Sequence, residues 1–215
     1  DWTGGISNTF SYRSLSLSFL IDASVGGSIF SNTNKTGKYS GVLANTLSGR
    51  DAEHGGLWYY TAAMGNNVRL PESPSYSVSS DGLYYAQVNG QSTRVYQDGI
   101  MVEGVTESGS KNEEVVSAEK YYHRIYSIAE ANVYDASYVK LREVALSYRL
   151  PRLWTQKLHL QEASVTLTGR NLWTIYKSVP NIDPESALTT GNAQGVEAYS
   201  LPTTRSFGVN LSVKF

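Results

Sequence analysis

The carboxylates of the stretch NIDPES are the first residues in this sequence that could do chemistry. Asp183 and Glu185 could act as a paired acid and base, or as oxygen ligands for Ca²⁺. Pro184 between them and Asn181 before them favour a rigid turn instead. The histidines are far apart and show no metal-ligand spacing, so no metal site is predicted from them: His54, His123 and His159.

A second polar group lies in SYVKLREVALSYRLP, which contains Lys140, Arg142 and Glu143. These residues could bind an anionic group of a substrate. We favour the alternative that they are ion-paired residues of a wall or rim. Arg170 and Asn171 in GRNLW are predicted to face a lumen or rim and to form hydrogen bonds there.

Aromatic residues form a third group in the middle of the chain. Flat aromatic rings stack on the apolar faces of sugars, so this group is predicted to contact a ligand; its members are Trp58, Tyr59, Tyr60, Tyr84 and Tyr85. They could instead build a small core for a long loop. The same two interpretations apply to the tyrosines of a predicted helix: Tyr121, Tyr122 and Tyr126.

The sequence shows no sign of an enzyme. It contains no arrangement of Ser, His and Asp typical of a catalytic triad, no phosphate-binding glycine loop and no cysteine. No cofactor is predicted. The 18 basic and 19 acidic residues give a formal net charge of -1, which argues against nucleic-acid binding. No run approaches the ~20 apolar residues of a membrane helix.

Strict alternation of apolar and polar residues predicts several β-strands in this chain. The closing stretch SFGVNLSVKF alternates perfectly, and LSLSFLIDASV does the same near the start. We predict a hairpin over residues 3–26 with its turn near Ser14, strands over 136–150 and 161–176, and a terminal strand over 205–215. A change of parity predicts a bulge near Arg142 and Glu143.

Long connections separate these strands. Residues 27–135 and 177–204 show turn residues rather than alternation, with helical spacing in YSGVLANTL and in SAEKYYHRIYSIAE, where Ser117 is the predicted N-cap. Tight turns alternate with long loops along the chain, as in outer-membrane barrels. A soluble β-sandwich with one large insertion remains an alternative.

The aromatic residues at the strand ends favour the barrel, because interfacial aromatics form two girdles on such proteins. One group is expected at the long-loop end: Trp2, Trp173 and Tyr176. The other is expected at the short-turn end: Tyr12, Tyr148 and Phe215.

Several stretches resemble SusC/RagA-type TonB-dependent transporters of the Bacteroidetes outer membrane. SYVKLREVALSYRLP, GRNLWTIYK, NIDPES and SFGVNLSVKF resemble the C-terminal part of that family, and residues 1–33 resemble an earlier hairpin of its barrel. The resemblance implies an all-β, antiparallel, up-and-down transmembrane barrel segment, about the last five strands of a 22-stranded barrel with a plugged lumen. Its long extracellular loops would contain short helices.

The resemblance also implies the partners. Residues 1–215 would be the C-terminal part of a nutrient importer in the outer membrane of a Gram-negative bacterium. The remainder of the barrel and the plug would complete it, TonB would act through an upstream part, and a SusD-like lipoprotein would form a lid over a glycan or peptide substrate. The aromatic group would contact substrate or lid, membrane lipid would surround the strands, and Phe207 and Phe215 would belong to a barrel-assembly signal.

A different class of function stays open beside the importer. A soluble or surface-attached β-rich module could bind carbohydrate through its aromatic loop. An outer-membrane adhesin or porin without energy coupling would share the same strands. Extraction only with detergent would favour a membrane protein over the module.

Overall fold

The computed structural model describes residues 1–157, 159–188, 191 and 194–215. The chain divides into two compact units. We call residues 1–33 and 133–215 the sheet unit and residues 34–132 the insert unit.

The strands and helices follow one another along the chain in this order: β1 (Trp2–Tyr12), β2 (Leu15–Val25), β3 (Ser28–Ser31), α1 (Asn32–Tyr39), β4 (Leu57–Thr61), β5 (Asn67–Arg69), β6 (Tyr76–Val78), β7 (Tyr84–Val88), β8 (Gln91–Ile100), β9 (Val116–Ser117), α2 (Ala118–Ser127), β10 (Val133–Asp135), β11 (Tyr138–Arg149), α3 (Arg152–Lys157), β12 (Glu162–Lys177), β13 (Val196–Glu197) and β14 (Ser206–Lys214). Short 3₁₀ helices lie at Ala44–Leu47 and Glu130–Asn132. Among the described residues, no helix is long and apolar enough to span a membrane.

The main sheet of the sheet unit has the order β1-β2-β11-β12-β14, and every neighbouring pair is antiparallel. The five strands therefore follow one another across the sheet in chain order. The chain leaves the main sheet between β2 and β11 and again between β12 and β14. The predicted fold class, an antiparallel all-β segment whose loops carry short helices, is confirmed.

The β1–β2 hairpin turns through Arg13 and Ser14, as predicted from the short gap between two alternating runs. Arg13 takes the positive φ of 54° that a two-residue turn demands. Register is continuous from the pair Tyr12 and Leu15 to the pair Trp2 and Val25. All side chains of one parity therefore share one face.

One face of the main sheet is apolar across all its strands. A typical cross-strand row joins residues paired in successive strands: Phe10, Leu17, Leu146, Leu167 and Val209. All of these side chains are exposed. The aromatic residues expected at the strand ends lie on or next to this face and are exposed too: Trp2, Trp173, Tyr176, Tyr12, Tyr148 and Phe215.

The opposite face is polar. One cross-strand row on this face consists of hydroxyl and amide side chains: Ser11, Ser16, Ser147, Thr166 and Asn210. Ser11 and Ser16 are 3.0 Å apart between their Oγ atoms, and Ser147 Oγ lies 2.7 Å from Thr166 Oγ1. The two faces of the main sheet are therefore chemically unlike.

The predicted bulge is confirmed. Arg142 is the extra residue of β11 where Leu141 pairs with Ile21 and Glu143 pairs with Leu20. A second irregularity on β12 includes Asn171, whose φ of 51° is left-handed. These irregularities let Lys140 and Glu143, three residues apart, both lie on the polar face.

A small sheet of order β10-β3-β13 follows the main sheet at its long-loop end. Gly26 and Gly27, with φ of 92° and 77°, allow the chain to pass from β2 into β3. Ile29 packs there with Val179 and Ile182, so part of the loop after β12 is buried rather than free.

The insert unit has its own sheet of order β5-β4-β8-β7-β6, with β9 paired to β8. The expectation that residues 27–135 consist of turns and helices without strands is therefore wrong. Trp58, Ala86 and Val95 form the core of this sheet. Apart from β8, its strands have at most five residues, too few to show a clear alternation in sequence.

Helix α2 agrees with its predicted span, and Ser117 Oγ accepts a hydrogen bond from the Lys120 amide at 3.3 Å as its N-cap. The helix predicted over YSGVLANTL is wrong. Instead α1 ends at Tyr39, and Ala44–Leu47 is a single 3₁₀ turn. The helix α1 is polar, so it lacks the apolar stripe from which helices are predicted.

Candidate functional site

The predicted ligand-contacting aromatics lie in the insert unit. Trp58 and Tyr59 are interior residues, 7% and 4% exposed, while Tyr60, Tyr84 and Tyr85 are half-buried. Trp58 packs edge-on against Tyr84, with ring centroids 5.8 Å apart. The structure thus places Trp58 and Tyr84 in the loop's own core, and contact with a substrate stays a prediction.

Two of the charged residues predicted at a rim, Lys140 and Arg142, belong to one connected cluster in the sheet unit. We call it the charge network: Asp22, Lys140, Arg142, Asp183 and Glu185. Lys140 Nζ lies 2.5 Å from Asp183 Oδ1 and 2.6 Å from Glu185 Oε2. The Lys140 side chain is 4% exposed, so its charge is balanced almost entirely by these two carboxylates.

Arg142 extends the charge network to the neighbouring strand. Its Nη2 lies 2.7 Å from Asp22 Oδ2, and it is also paired with Glu185. Tyr138 donates a hydrogen bond to Glu185 Oε1 at 2.9 Å. The stretch NIDPES is therefore attached to β11 through side chains as well as through its own turn.

Asp183 is the most tightly held carboxylate of this cluster. Thr203 Oγ1 donates to Asp183 Oδ2 at 2.6 Å, and the Glu185 amide donates to Oδ1 at 3.0 Å. Burial acts to raise the pKa of Asp183, but the hydrogen bonds from Lys140 and Thr203 outweigh it and lower the pKa to about 2. Likewise, hydrogen bonds from Arg142, Lys140 and Tyr138 outweigh burial and lower the pKa of Glu185.

Glu197 forms a second buried attachment of the same loop. It is fully buried and accepts hydrogen bonds from Ser31 Oγ at 2.7 Å and from Thr33 Oγ1 at 2.6 Å. These donors outweigh burial and lower the pKa of Glu197. The loop between β12 and β14 is thus tied to the sheet unit at both NIDPES and Glu197.

This geometry supports ion pairing for Lys140 and Arg142, because both cations already contact carboxylates. Glu143 pairs with Arg170 at 2.9 Å on the polar face, and Asn171 Nδ2 donates to Thr204 O at 3.3 Å. Within the described ranges, no group of three or more acidic or histidine side chains is arranged to hold a metal ion.

Phe207 and Phe215, predicted as parts of an assembly signal, lie at the edge of the main sheet. Both side chains are 80% exposed. Phe207 belongs to the apolar face, where it follows the pair Val144 and Gly169 along one row. Neither ring is held by a core.

Sequence reasoning missed the partners of these cations. It read NIDPES as a turn, whereas Asp183 and Glu185 also neutralise Lys140 and Arg142. The alternation of β2 places the charged residue Asp22 on its polar face, and this position could have indicated a partner for a cation. Glu197 carried no signal, since a glutamate in a polar loop gives no hint of full burial.

A curated protein matches part of this chain. TonB-dependent receptor P3 of Formosa agariphila is 34% identical over 94 residues, which covers 41% of this chain and 9% of the receptor. This match supports the predicted resemblance to TonB-dependent transporters.

Solved structures resemble this chain more distantly. The RagAB peptide importer in its open-open state gives a TM-score of 0.47 at 17% identity, over 99% of this chain and 17% of that one. Its closed-closed state gives a TM-score of 0.46 at the same identity and coverage. No family model matches the chain.

Proposed function

We propose that this chain forms part of the wall and external loops of a TonB-dependent importer in the outer membrane of a Gram-negative bacterium. The observation that carries the proposal is the main sheet, which exposes a largely apolar face, interrupted by Asn8, and has a polar face on the other side. Such a sheet suits a boundary between hydrocarbon and an aqueous lumen. The two groups of exposed aromatics at its ends suit the two membrane interfaces.

The outer strands of the main sheet supply a second argument. Within the described residues, β1 and β14 each pair on one side. Unpaired backbone groups are too costly in hydrocarbon, so further strands must complete the cylinder. We infer that these strands and a plug belong to the same importer, as in a 22-stranded barrel.

The loops are assigned to the external side. Residues 27–135 and 177–204 connect the strands at the end opposite the tight turn at Arg13 and Ser14, and outer-membrane barrels carry their long loops outside. In this proposal they contact a SusD-like lipoprotein and a glycan or peptide substrate, while TonB supplies energy from the other side. The charge network and Glu197 fix the second loop at the rim.

Fractionation of cells tests the membrane assignment. We expect the protein to sediment with outer membranes, to resist washing with sodium carbonate and to dissolve only in detergent. Release by carbonate, followed by a monodisperse species without detergent, would favour the carbohydrate-binding module instead.

A matched pair of spin labels tests the two faces directly. The chain contains no cysteine, so Leu167→Cys and Thr166→Cys each create one labelling site on β12. A nitroxide at position 167 should collide more with oxygen, which concentrates in lipid, and one at position 166 more with a water-soluble nickel complex. Equal accessibility of the two labels would contradict the proposal.

A further inference from the structure

A cavity of about 690 Å³ lies within the insert unit and is lined largely by charged and amide side chains. Most of its lining comes from three segments: β5 with the turn before it, the stretch that leads into β9, and helix α2. We call it the basic cavity, and its cationic side chains are Arg69, Lys111, Lys120 and Arg124. Its volume falls within the range of about 300–1,000 Å³ that is usual for small-molecule sites.

The charge of the basic cavity is only partly compensated. Two carboxylates, those of Glu113 and Glu114, lie in the same lining as the four cations, so the cavity keeps a formal net charge of +2. Arg124 Nη2 lies 3.2 Å from Glu114 Oε1, but both side chains are 61% exposed, so this ion pair is weak. The other three cations form no ion pair with any residue that the structure describes.

Helix α2 places two of the cations on one face. Lys120 and Arg124 are four residues apart, about one helical turn, and both line the basic cavity. Like charges at this spacing destabilise a helix slightly. Helix stability therefore does not account for the pair, whereas an anion bound between the helix and the other two segments would relieve the repulsion.

Asparagine side chains hold the segments that carry the other two cations. Asn112 Nδ2 donates to Val102 O at 2.7 Å, which fixes the loop beside Lys111. Asn67 Nδ2 donates to Val115 O at 2.8 Å and thereby attaches β5 to the stretch before β9. The cations extend from backbone that is already held by hydrogen bonds, so a ligand has less ordering to impose on the protein.

The lining indicates which class of anion would fit. A phosphomonoester carries nearly two negative charges at neutral pH, and this matches the net charge of the cavity. The guanidinium groups of Arg69 and Arg124 offer paired N–H donors that suit phosphate oxygens. Val68, Met101 and Val116 add apolar surface, and the cavity is far larger than a free phosphate ion, so it has room for an organic group.

We propose that the basic cavity binds a phosphomonoester, with the phosphate held by the cations of the lining and the organic group against its apolar part. A soluble ester and a phosphorylated lipid headgroup present the same dianion, so the experiment must separate these two sources. The inference concerns the insert unit alone and goes beyond the proposed function, which assigns no ligand to this cavity.

Isothermal titration calorimetry on the purified detergent-solubilised protein tests the site, with adenosine monophosphate as the soluble probe and dihexanoyl phosphatidic acid as the lipid probe. We expect at least one of them to bind, and added salt to weaken the binding because it screens exposed charges. Adenosine and dihexanoyl phosphatidylcholine, which lack a phosphomonoester, should not bind. The probe that binds more tightly identifies the source of the phosphate.

Variants connect this binding to the basic cavity. Arg69→Gln and Lys120→Gln should each weaken it about fivefold, the scale of one exposed ion pair. Arg94→Gln is the matched control: Arg94 is an exposed arginine on β8 of the same sheet, lies over the Tyr96 ring at 4.8 Å and does not line this cavity. It removes the same charge and should change binding by less than about twofold.

A conservative variant separates the role of the arginine from that of its charge. Arg69→Lys keeps the charge but loses the paired donors, so its binding should lie between that of the original protein and that of Arg69→Gln. Circular dichroism should stay unchanged in every variant.

Four results would overturn the inference. They are the absence of binding by both probes, equally tight binding of the dicarboxylate succinate, binding that is unaffected by both Arg69→Gln and Lys120→Gln, and an equal effect of Arg94→Gln. None of them alters detergent extraction, so they are distinguishable from a failure of the importer proposal.

Discussion

Buried charge is the distinctive feature at the scale of single residues. Lys140 is enclosed by Asp183 and Glu185, and both of its ion pairs connect β11 to the loop that follows β12. Removing one member of a buried ion pair leaves an uncompensated charge, which destabilises far more than loss of an exposed pair. The charge network therefore fixes the loop only while it is complete.

Lys140→Met should lower the free energy of unfolding by about 3–5 kcal/mol, because the buried carboxylate of Asp183 loses its cation. Arg170→Met is the control, since the Arg170–Glu143 pair is largely exposed, and it should change the free energy by less than about 1 kcal/mol. Urea unfolding in detergent micelles measures both. Similar effects for the two variants would show that the charge network does not stabilise the fold.

Acid should weaken the same attachment in a defined pH window. Because the pKa of Asp183 falls from 3.8 to about 2 on folding, its ionised form stabilises the folded state above about pH 4, and this contribution disappears as the pH falls towards 2. Thr203→Val removes one hydrogen bond to Asp183 and brings the folded pKa closer to 3.8. The variant should be less stable than the original protein above pH 4, and this deficit should shrink towards pH 2.

Unfolding midpoints measured from pH 2 to pH 6 check this behaviour. Thr204→Val, one residue further along, is the control because the Thr204 hydroxyl is not hydrogen-bonded to Asp183. A deficit for Thr203→Val that is constant over this pH range would show that Asp183 does not titrate as described.

Alternation of side chains decides the chemistry at the scale of the strand. On β12, Thr166 belongs to the hydroxyl row of the polar face and Leu167 to the apolar face, although they are consecutive residues. A shift of register by one residue would exchange the two faces. The hairpin at Arg13 and the paired hydroxyls of Ser147 and Thr166 oppose such a shift.

Leu167→Lys should therefore disturb folding in membranes while Thr166→Lys is tolerated. A lysine on the lipid face costs about 2–4 kcal/mol at the bilayer midplane and less near the interfaces. Folding of each variant into lipid vesicles, followed by heat-modifiable electrophoretic mobility, measures the difference. If Thr166→Lys were the more damaging change, the assignment of the two faces would be reversed.

At the scale of the whole molecule, the main sheet is open and most of its apolar surface lies outside any core. In the importer proposal its outer strands β1 and β14 need partners, and the exposed Phe215 directly follows β14. Closure of a cylinder satisfies the backbone of both outer strands at once. The proposed assembly signal would act on the last of these strands.

Phe215→Ser should reduce the amount of protein in the outer membrane several-fold, because the signal read during assembly is weakened. The folded sheet should lose little stability, since Phe215 is not packed in a core. Quantitative immunoblots of outer-membrane fractions measure the level, and Lys214→Ser is the neighbouring control. Equal levels for the two variants would remove Phe215 from the signal.

The sequence by itself determined the main sheet. A strand between two unlike surroundings alternates apolar and polar side chains, so β1, β2, β12 and β14 could be predicted from period-2 patterns. The change of parity at Arg142 predicted the bulge. Ser117 disclosed the start of α2 for a similar reason, because an N-cap acts within one turn of the helix. Features of this kind depend on neighbours in the chain.

Tertiary structure alone decided the rest. Lys140 and Asp183 are 43 residues apart, and Glu197 lies 166 residues from Ser31, so no local pattern could pair them. The sheet of the insert unit was missed because its strands, apart from β8, are too short to show alternation. Burial and charge compensation depend on contacts between segments that are distant in sequence. Only the folded structure therefore reveals them.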